Sequence, residues 1–302
     1  MPSRFAAFAI VLFWLGTTAY LGYTRVWPWW TASAAPAVTV SATDEASRVK
    51  VRWKVQFKSG TGPFEKAGHL TTELKADDTD TYTFVAQYSD IKLSLLGVTV
   101  RVPKATTEVT IDRDGHLRKQ SMTGSGVFVI PLLGEVSGSG SVTSHVVGGV
   151  LRGRAEGSVL GLTLDPTDLP PVPVPSGQVL NPLLPVNRLT GVTPGRRWTI
   201  RQVDPLGDSL KQLLQAVMAK NGVGAKMLGG RADDGELLAE VLPDLDAIAV
   251  RRNEETVPCR VIEYRGSDNK VAARTWVSAA DGRVMRQEAR ADGSTLRLDR
   301  DE

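Results

Sequence analysis

Val49, Val51, Trp53, Val55 and Phe57 alternate with Lys50, Arg52, Lys54, Gln56 and Lys58. No other feature of the chain constrains its fold as tightly. A period of two places the apolar set on one face of a β-strand and the cationic set on the other, so a core must lie on the first face. Weaker versions of the pattern recur: Leu70, Thr72 and Leu74; Tyr82, Phe84, Ala86 and Tyr88; Val98, Val100 and Val102; Val109 and Ile111. Asp112-Arg113-Asp114-Gly115 follows the last of these, and Asp-Gly supplies the positive φ of a tight hairpin. A calcium loop would need further ligands and a bidentate Glu downstream, and these are missing.

The other strong signal is Phe5–Tyr23, nineteen residues without a charge. As a helix it would span roughly 28 Å, near the ~30 Å apolar thickness of a bilayer. Arg4 precedes it and Arg25 follows. Trp27, Trp29 and Trp30 fit the aromatic belt at a membrane–water boundary. The alternative is a signal peptide cleaved at Ala32-Ser33-Ala34, near residue 34. The length of the run and the bulky stretch Arg25–Trp30 favour a retained anchor. The flanking charges place the N-terminus in the cytoplasm and the bulk outside, in a bacterial periplasm or cell envelope. The expected organisation is an anchor over 1–30, a flexible linker over 31–44, and an extracytoplasmic β-rich domain over 45–302. That domain divides into halves 45–165 and 188–302, joined by the proline-rich segment 166–187.

Gly124–Leu164 is rich in Gly and Ser, but Val127, Val129, Val142, Val146, Val150, Val159, Leu162 and Leu164 recur at strand-like spacing. The spacing predicts long, bent strands rather than a linker. In Asp165–Pro185 seven prolines exclude a central strand, while Leu169, Val172, Val174, Leu180, Leu183 and Leu184 make it too apolar for a free linker. It should lie extended against the body. After Asp208, a plausible N-cap, Leu210, Leu213, Leu214 and Val217 follow the helical i, i+3, i+4, i+7 stripe, and Asn221-Gly222 ends it. A meander follows: strands at 236–242, 247–251, 259–264, 271–278, 283–290 and 295–299, with Asp281-Gly282 and Asp292-Gly293 among the turns. The expected fold is mainly β: a large curved antiparallel sheet, half-barrel or open barrel, with one or two short helices, preceded by a single transmembrane helix.

Lys+Arg 36 against Asp+Glu 33 leaves a dispersed net charge of +3, too little for nucleic acid. The single Cys259 allows no intrachain disulfide and reads as a small buried hydrophobe. His69, His116 and His145 lack partners at metal-ligand spacing. Asp244 and Asp246, after Pro243, read as a turn and its exit. Neither a nucleophile elbow nor a dinucleotide fingerprint occurs. The sequence therefore predicts no catalytic residue, no cofactor and no metal: a protein that is not an enzyme.

Pro194-Gly195-Arg196-Arg197-Trp198, Asp204-Pro205-Leu206, Pro258-Cys259-Arg260-Val261-Ile262-Glu263-Tyr264, Arg274-Thr275-Trp276-Val277 and Asp281-Gly282-Arg283-Val284 occur in this order behind Trp53. In that order the chain resembles uncharacterised bacterial envelope proteins similar in architecture to lipoprotein-carrier half-barrels. The resemblance implies a concave sheet that holds acyl chains, and transfers no catalytic residue. The expected function is a non-catalytic binding module for lipid or another apolar group, with Leu183, Leu184, Leu213, Leu214 and Val217 lining or gating the site. The alternatives are a structural or assembly protein docking another envelope protein, and a hydrolase without a recognisable motif. The expected partners are the membrane, through residues 5–23, and lipid or an envelope protein.

Overall fold

The computed structural model describes residues 17, 50–77, 81–95, 98–112, 116–130, 134–159, 162–174, 184–201, 236–249, 256–291 and 293–301. The run Phe5–Tyr23, apart from Thr17, lies outside these residues, as does the helix expected over Ser209–Lys220. No helix among the described residues is long and apolar enough to cross a membrane.

The described chain is mainly β. Its strands are β1 (Val51–Ser59), β2 (Glu65–Ala76), β3 (Thr81–Leu95), β4 (Val98–Asp112), β5 (Leu117–Ile130), β6 (Gly134–Val147), β7 (Val150–Val159), β8 (Leu162–Asp168), β9 (Val172–Pro173), β10 (Arg197–Arg201), β11 (Glu236–Ala249), β12 (Thr256–Arg265), β13 (Val271–Ser278), β14 (Val284–Ala291) and β15 (Ser294–Arg300). Fourteen of them form one open antiparallel path, β10 to β15, then β1 to β8, and β9 pairs with β7 beside it. The two halves join where the last strand pairs with the first, Trp53 opposite Arg300 and Ser59 opposite Ser294.

Two strands are longer than alternation predicts. Val98–Val102 and Val109–Ile111 belong to the single strand β4, and 236–242 and 247–251 are largely the single strand β11. In both, a proline sits at an irregularity. The β4–β5 register shifts across Pro103, between Arg101 and Lys104, and the β11–β12 register shifts across Pro243, between Val241 and Leu245. Pro166 likewise sits in β8, at the end of the path, where its register with β7 shifts. Proline cannot donate to a ladder, so the sheet takes it at bulges and edges.

The Gly/Ser-rich stretch forms strands, as its valines indicate. Ala105, Gly124, Gly140 and Gly157 stand in one cross-strand row. A Cβ added at Gly157 would lie 2.6 Å from the Ser139 carbonyl oxygen. The close backbone approach there excludes any side chain.

One face carries the main core. Trp53, Leu70, Phe84, Ile111, Trp198, Val241, Ile262, Tyr264 and Val284 all belong to it. Trp53, Trp198 and Tyr264 are 0% exposed. Burial this deep on one face of a sheet needs a cover, and residues 184–189 supply part of it. The Thr72 hydroxyl donates to the Pro185 carbonyl at 2.9 Å, and Gln287 Nε2 donates to the Leu184 carbonyl at 3.1 Å. Arg300 Nη2 donates to Asn187 Oδ1 at 2.9 Å, and Val186 and Leu189 are buried. A smaller cluster of Ile248, Cys259, Val261, Trp276 and Met285 is separate from it. Along β12 the alternation sends Cys259 and Val261 to the side away from Ile262 and Tyr264.

Candidate functional site

The side of the sheet away from the main core bears a polar groove across β2, β3, β4 and β5, with a cavity of ≈ 320 Å³. Register builds it from two parallel rows. Lys75, Thr83, Thr110 and Lys119 stand opposite one another on successive strands, and beside them Glu73, Val85, Glu108 and Ser121 do the same. Small threonines between long lysines leave a trough. Thr83 and Thr110 hydroxyls lie 3.0 Å apart, Thr83 donates to Asp77, and Ser121 Oγ donates to Glu108 Oε2 at 3.4 Å. Lys75 lies 3.8 Å from Glu73. Both charge signs and several hydroxyls line the trough, so it suits a small polar ligand and not an acyl chain.

The core face is the other candidate. Trp198 on β10, Ala239 on β11 and Tyr264 on β12 form one row across the sheet. Trp198 Nε1 and the Tyr264 hydroxyl are buried without a hydrogen-bond partner. Thr275 is near Tyr264 but does not reach hydrogen-bond geometry; burial raises the phenol pKa far above its ordinary range and Thr275 offsets only part of the shift. The residue between the two rings is Ala239, itself fully buried.

Of the residues expected at an apolar site, Leu184 is half-buried against the main core, its carbonyl held by Gln287. Leu183, Leu213, Leu214 and Val217 lie outside the described residues, as do the interfacial Trp27, Trp29 and Trp30. Sequence reasoning missed Trp198, Tyr264 and the polar groove. The available signal for the first two was a pair of polar-tipped aromatics on core-facing positions of predicted strands.

Cys259 is buried, with Sγ 3.4 Å from the Val257 carbonyl oxygen, as its apolar strand suggests. Burial pushes its thiol from an ordinary 9.0 up to about 11; the Asp246 carboxylate adds to this and Arg286 opposes it. Asp246 does more than end a turn: Trp276 Nε1 donates to its Oδ2 at 2.8 Å. A raised native pKa fixes the sign of a pH effect. Below pH 9 the thiol is protonated in both states; above it the unfolded chain loses the proton first, so stability falls until about pH 11 and then levels. Urea unfolding from pH 8 upward should show this loss in the wild type and lack that component in Cys259→Ala. A thiol reagent at pH 8 should leave the folded chain unmodified. Rapid modification without unfolding would contradict the buried placement.

His69 lies on β2, His145 is exposed on β6, and exposed His116 has Nδ1 3.4 Å from Asp112 Oδ1. Among the described residues no three His, Cys, Asp or Glu side chains gather as a metal site.

No protein-family model matches the chain. No curated protein matches it either. Among solved structures the chain is similar to a β-barrel-like protein of domain of unknown function DUF1849 from Brucella abortus, at 11% identity, over 83% of this chain and 94% of that one, with a TM-score of 0.35.

Proposed function

We propose that this chain is a non-catalytic binding module, held on the outer side of a membrane by residues 5–23, whose core face takes an apolar group with a polar head. One observation carries the reading: the unpartnered Trp198 Nε1 and Tyr264 hydroxyl in a single row. Each buried donor without a partner costs about 1–3 kcal/mol. A carboxylate or hydroxyl placed over Ala239 would accept from both donors. The likeness to carrier half-barrels read from the sequence supports an acyl tail. The 184–189 segment, which covers part of the same face, would be the element displaced on entry.

The assembly alternative would use the open sheet edge at β8. That edge carries exposed Asp165, Pro166 and Asp168, which blunt strand addition. The lipid reading is tested on the full chain in nanodiscs with a fluorescent long-chain fatty acid. Saturable binding is expected, and Tyr264→Phe and Trp198→Phe should each weaken it about tenfold. Tyr264→Phe removes only an unpartnered hydroxyl and should not lower stability, whereas Trp198→Phe also shrinks a fully buried side chain and should cost about 1 kcal/mol. Absence of saturable binding, or binding indifferent to both changes, would leave the assembly reading standing.

A further inference from the structure

The polar groove across β2 to β5 lies on the face opposite the Trp198–Tyr264 row, so what it binds does not rest on the core-face reading. Its chemistry is set by where its hydroxyl protons go. A hydroxyl has one proton to give. Thr83 donates its own to Asp77, so in the 3.0 Å contact between Thr83 and Thr110 the proton is that of Thr110. Ser121 gives its proton to Glu108 at 3.4 Å. All three hydroxyl protons are thus spent along the floor. What the floor offers a ligand is lone pairs: the Thr110 and Ser121 oxygens and the carboxylates of Asp77 and Glu108.

A floor of acceptors selects a donor and repels an anion lying on it. The cations stand at the two sides of the groove, Lys75 on β2 and Lys119 on β5. Lys75 lies 3.8 Å from Glu73, which also faces Lys50 at 3.8 Å. Lys119 differs. Among the described residues it forms no ion pair, and Glu108 forms none either. Their positions are close enough for one. Lys119 stands opposite Thr110, and Glu108 is two residues from Thr110 on β4. Diagonal neighbours of this kind are about 7–8 Å apart. The groove therefore holds an uncommitted cation diagonally beside a carboxylate held only by a hydroxyl.

Ligand classes meet this arrangement differently. A simple anion would find Lys119 but face Glu108 and the oxygens of the floor. A simple amine would find Glu108 but face Lys119. A metal ion would want several carboxylates or imidazoles gathered, and among the described residues no three gather. A molecule with an ammonium and a carboxylate on one carbon satisfies both charges at once. We propose that the groove binds a free α-amino acid as its zwitterion, with the ammonium on Glu108 and Thr110 Oγ1 and the carboxylate on Lys119. The cavity of ≈ 320 Å³ has room for a molecule of that size. Val85, buried in the floor, offers an apolar contact to a small aliphatic side chain.

The test is equilibrium dialysis of the full chain in nanodiscs against an equimolar mixture of the protein amino acids, read by mass spectrometry. At least one should be retained above the level of a nanodisc without protein. The retained amino acid should bind saturably. Its N-acetyl and methyl-ester forms, each lacking one charge, should bind roughly tenfold more weakly. Glu108→Gln and Lys119→Met should each cause a similar loss. Both residues are exposed, so urea unfolding of the variants should match the wild type. Fatty-acid binding on the other face should not respond to either change, which separates this site from the core-face reading. Retention of no amino acid overturns the proposal. So does retention that both variants leave intact, and so does equal binding of the acetylated form, which would describe a site for simple anions.

Discussion

Trp53→Ala is expected to lower unfolding free energy by about 4 kcal/mol, the scale for emptying a buried indole site. Trp53 is 0% exposed on β1, between β15 and β2. Its Nε1 donates to Thr72 Oγ1 at 3.0 Å, and the Thr72 hydroxyl donates onward to the Pro185 carbonyl at 2.9 Å. The indole is therefore the first link of a polar chain that ends on the covering segment. Alanine removes the ring and leaves Thr72 without its donor. Urea unfolding measures the loss, and Trp53→Phe should recover much of the packing but not the hydrogen bond. A loss below about 1 kcal/mol for Trp53→Ala would mean that the site collapses around the smaller residue and that the segment does not depend on it.

Glu263→Ala should cost about 3 kcal/mol, the lower part of the range for removing one partner of a buried ion pair. Glu263 is 3% exposed on β12, a poor place for a carboxylate without cations. Arg274 Nε donates to its Oε1 at 2.8 Å from β13, and Arg265 Nη2 donates to Oε2 from the end of β12. Both arginine side chains keep about a third of their exposure, 33% and 31%, so they regain water when the carboxylate goes, which holds the cost to the lower part. Because the carboxylate is shielded, added salt should change the difference between wild type and variant little. A difference that vanishes in molar salt would instead describe a surface pair.

The strands were readable wherever one face was buried and the other wet. Val51, Trp53 and Val55 are buried as their alternation predicts. Strand unity was less readable. Lys104–Glu108 is polar and Pro103 interrupts it, so β4 read as two pieces, although a bulge lets one strand pass the proline. Alternation also fails where both faces are covered: along β12 and β13, Val261 and Trp276 pack away from Ile262 and Val277, so the sequence shows an apolar run without a side. The groove between Lys75 and Lys119 depends on the relative register of four strands, which no single strand encodes. The docking of Asn187 on Arg300 and of Pro185 on Thr72 joins residues more than a hundred positions apart, so local pattern could suggest an apolar segment but not its seat.

The pairing of β15 with β1 bears on how such a chain comes into being. The strand that starts the body waits for the strand that ends it: Trp53 meets Arg300 only after nearly all intervening residues have been made. Until then one edge of β1 offers unpaired N–H and C=O groups, and its Trp53 face lacks part of its neighbourhood. Contacts of such sequence separation form late, because the loop between them must first be closed. A newly made chain therefore spends its early life with a sticky first strand, exposed to strand exchange with other copies. Pairing with β15 closes that edge, so the exposure ends only when the last strand docks.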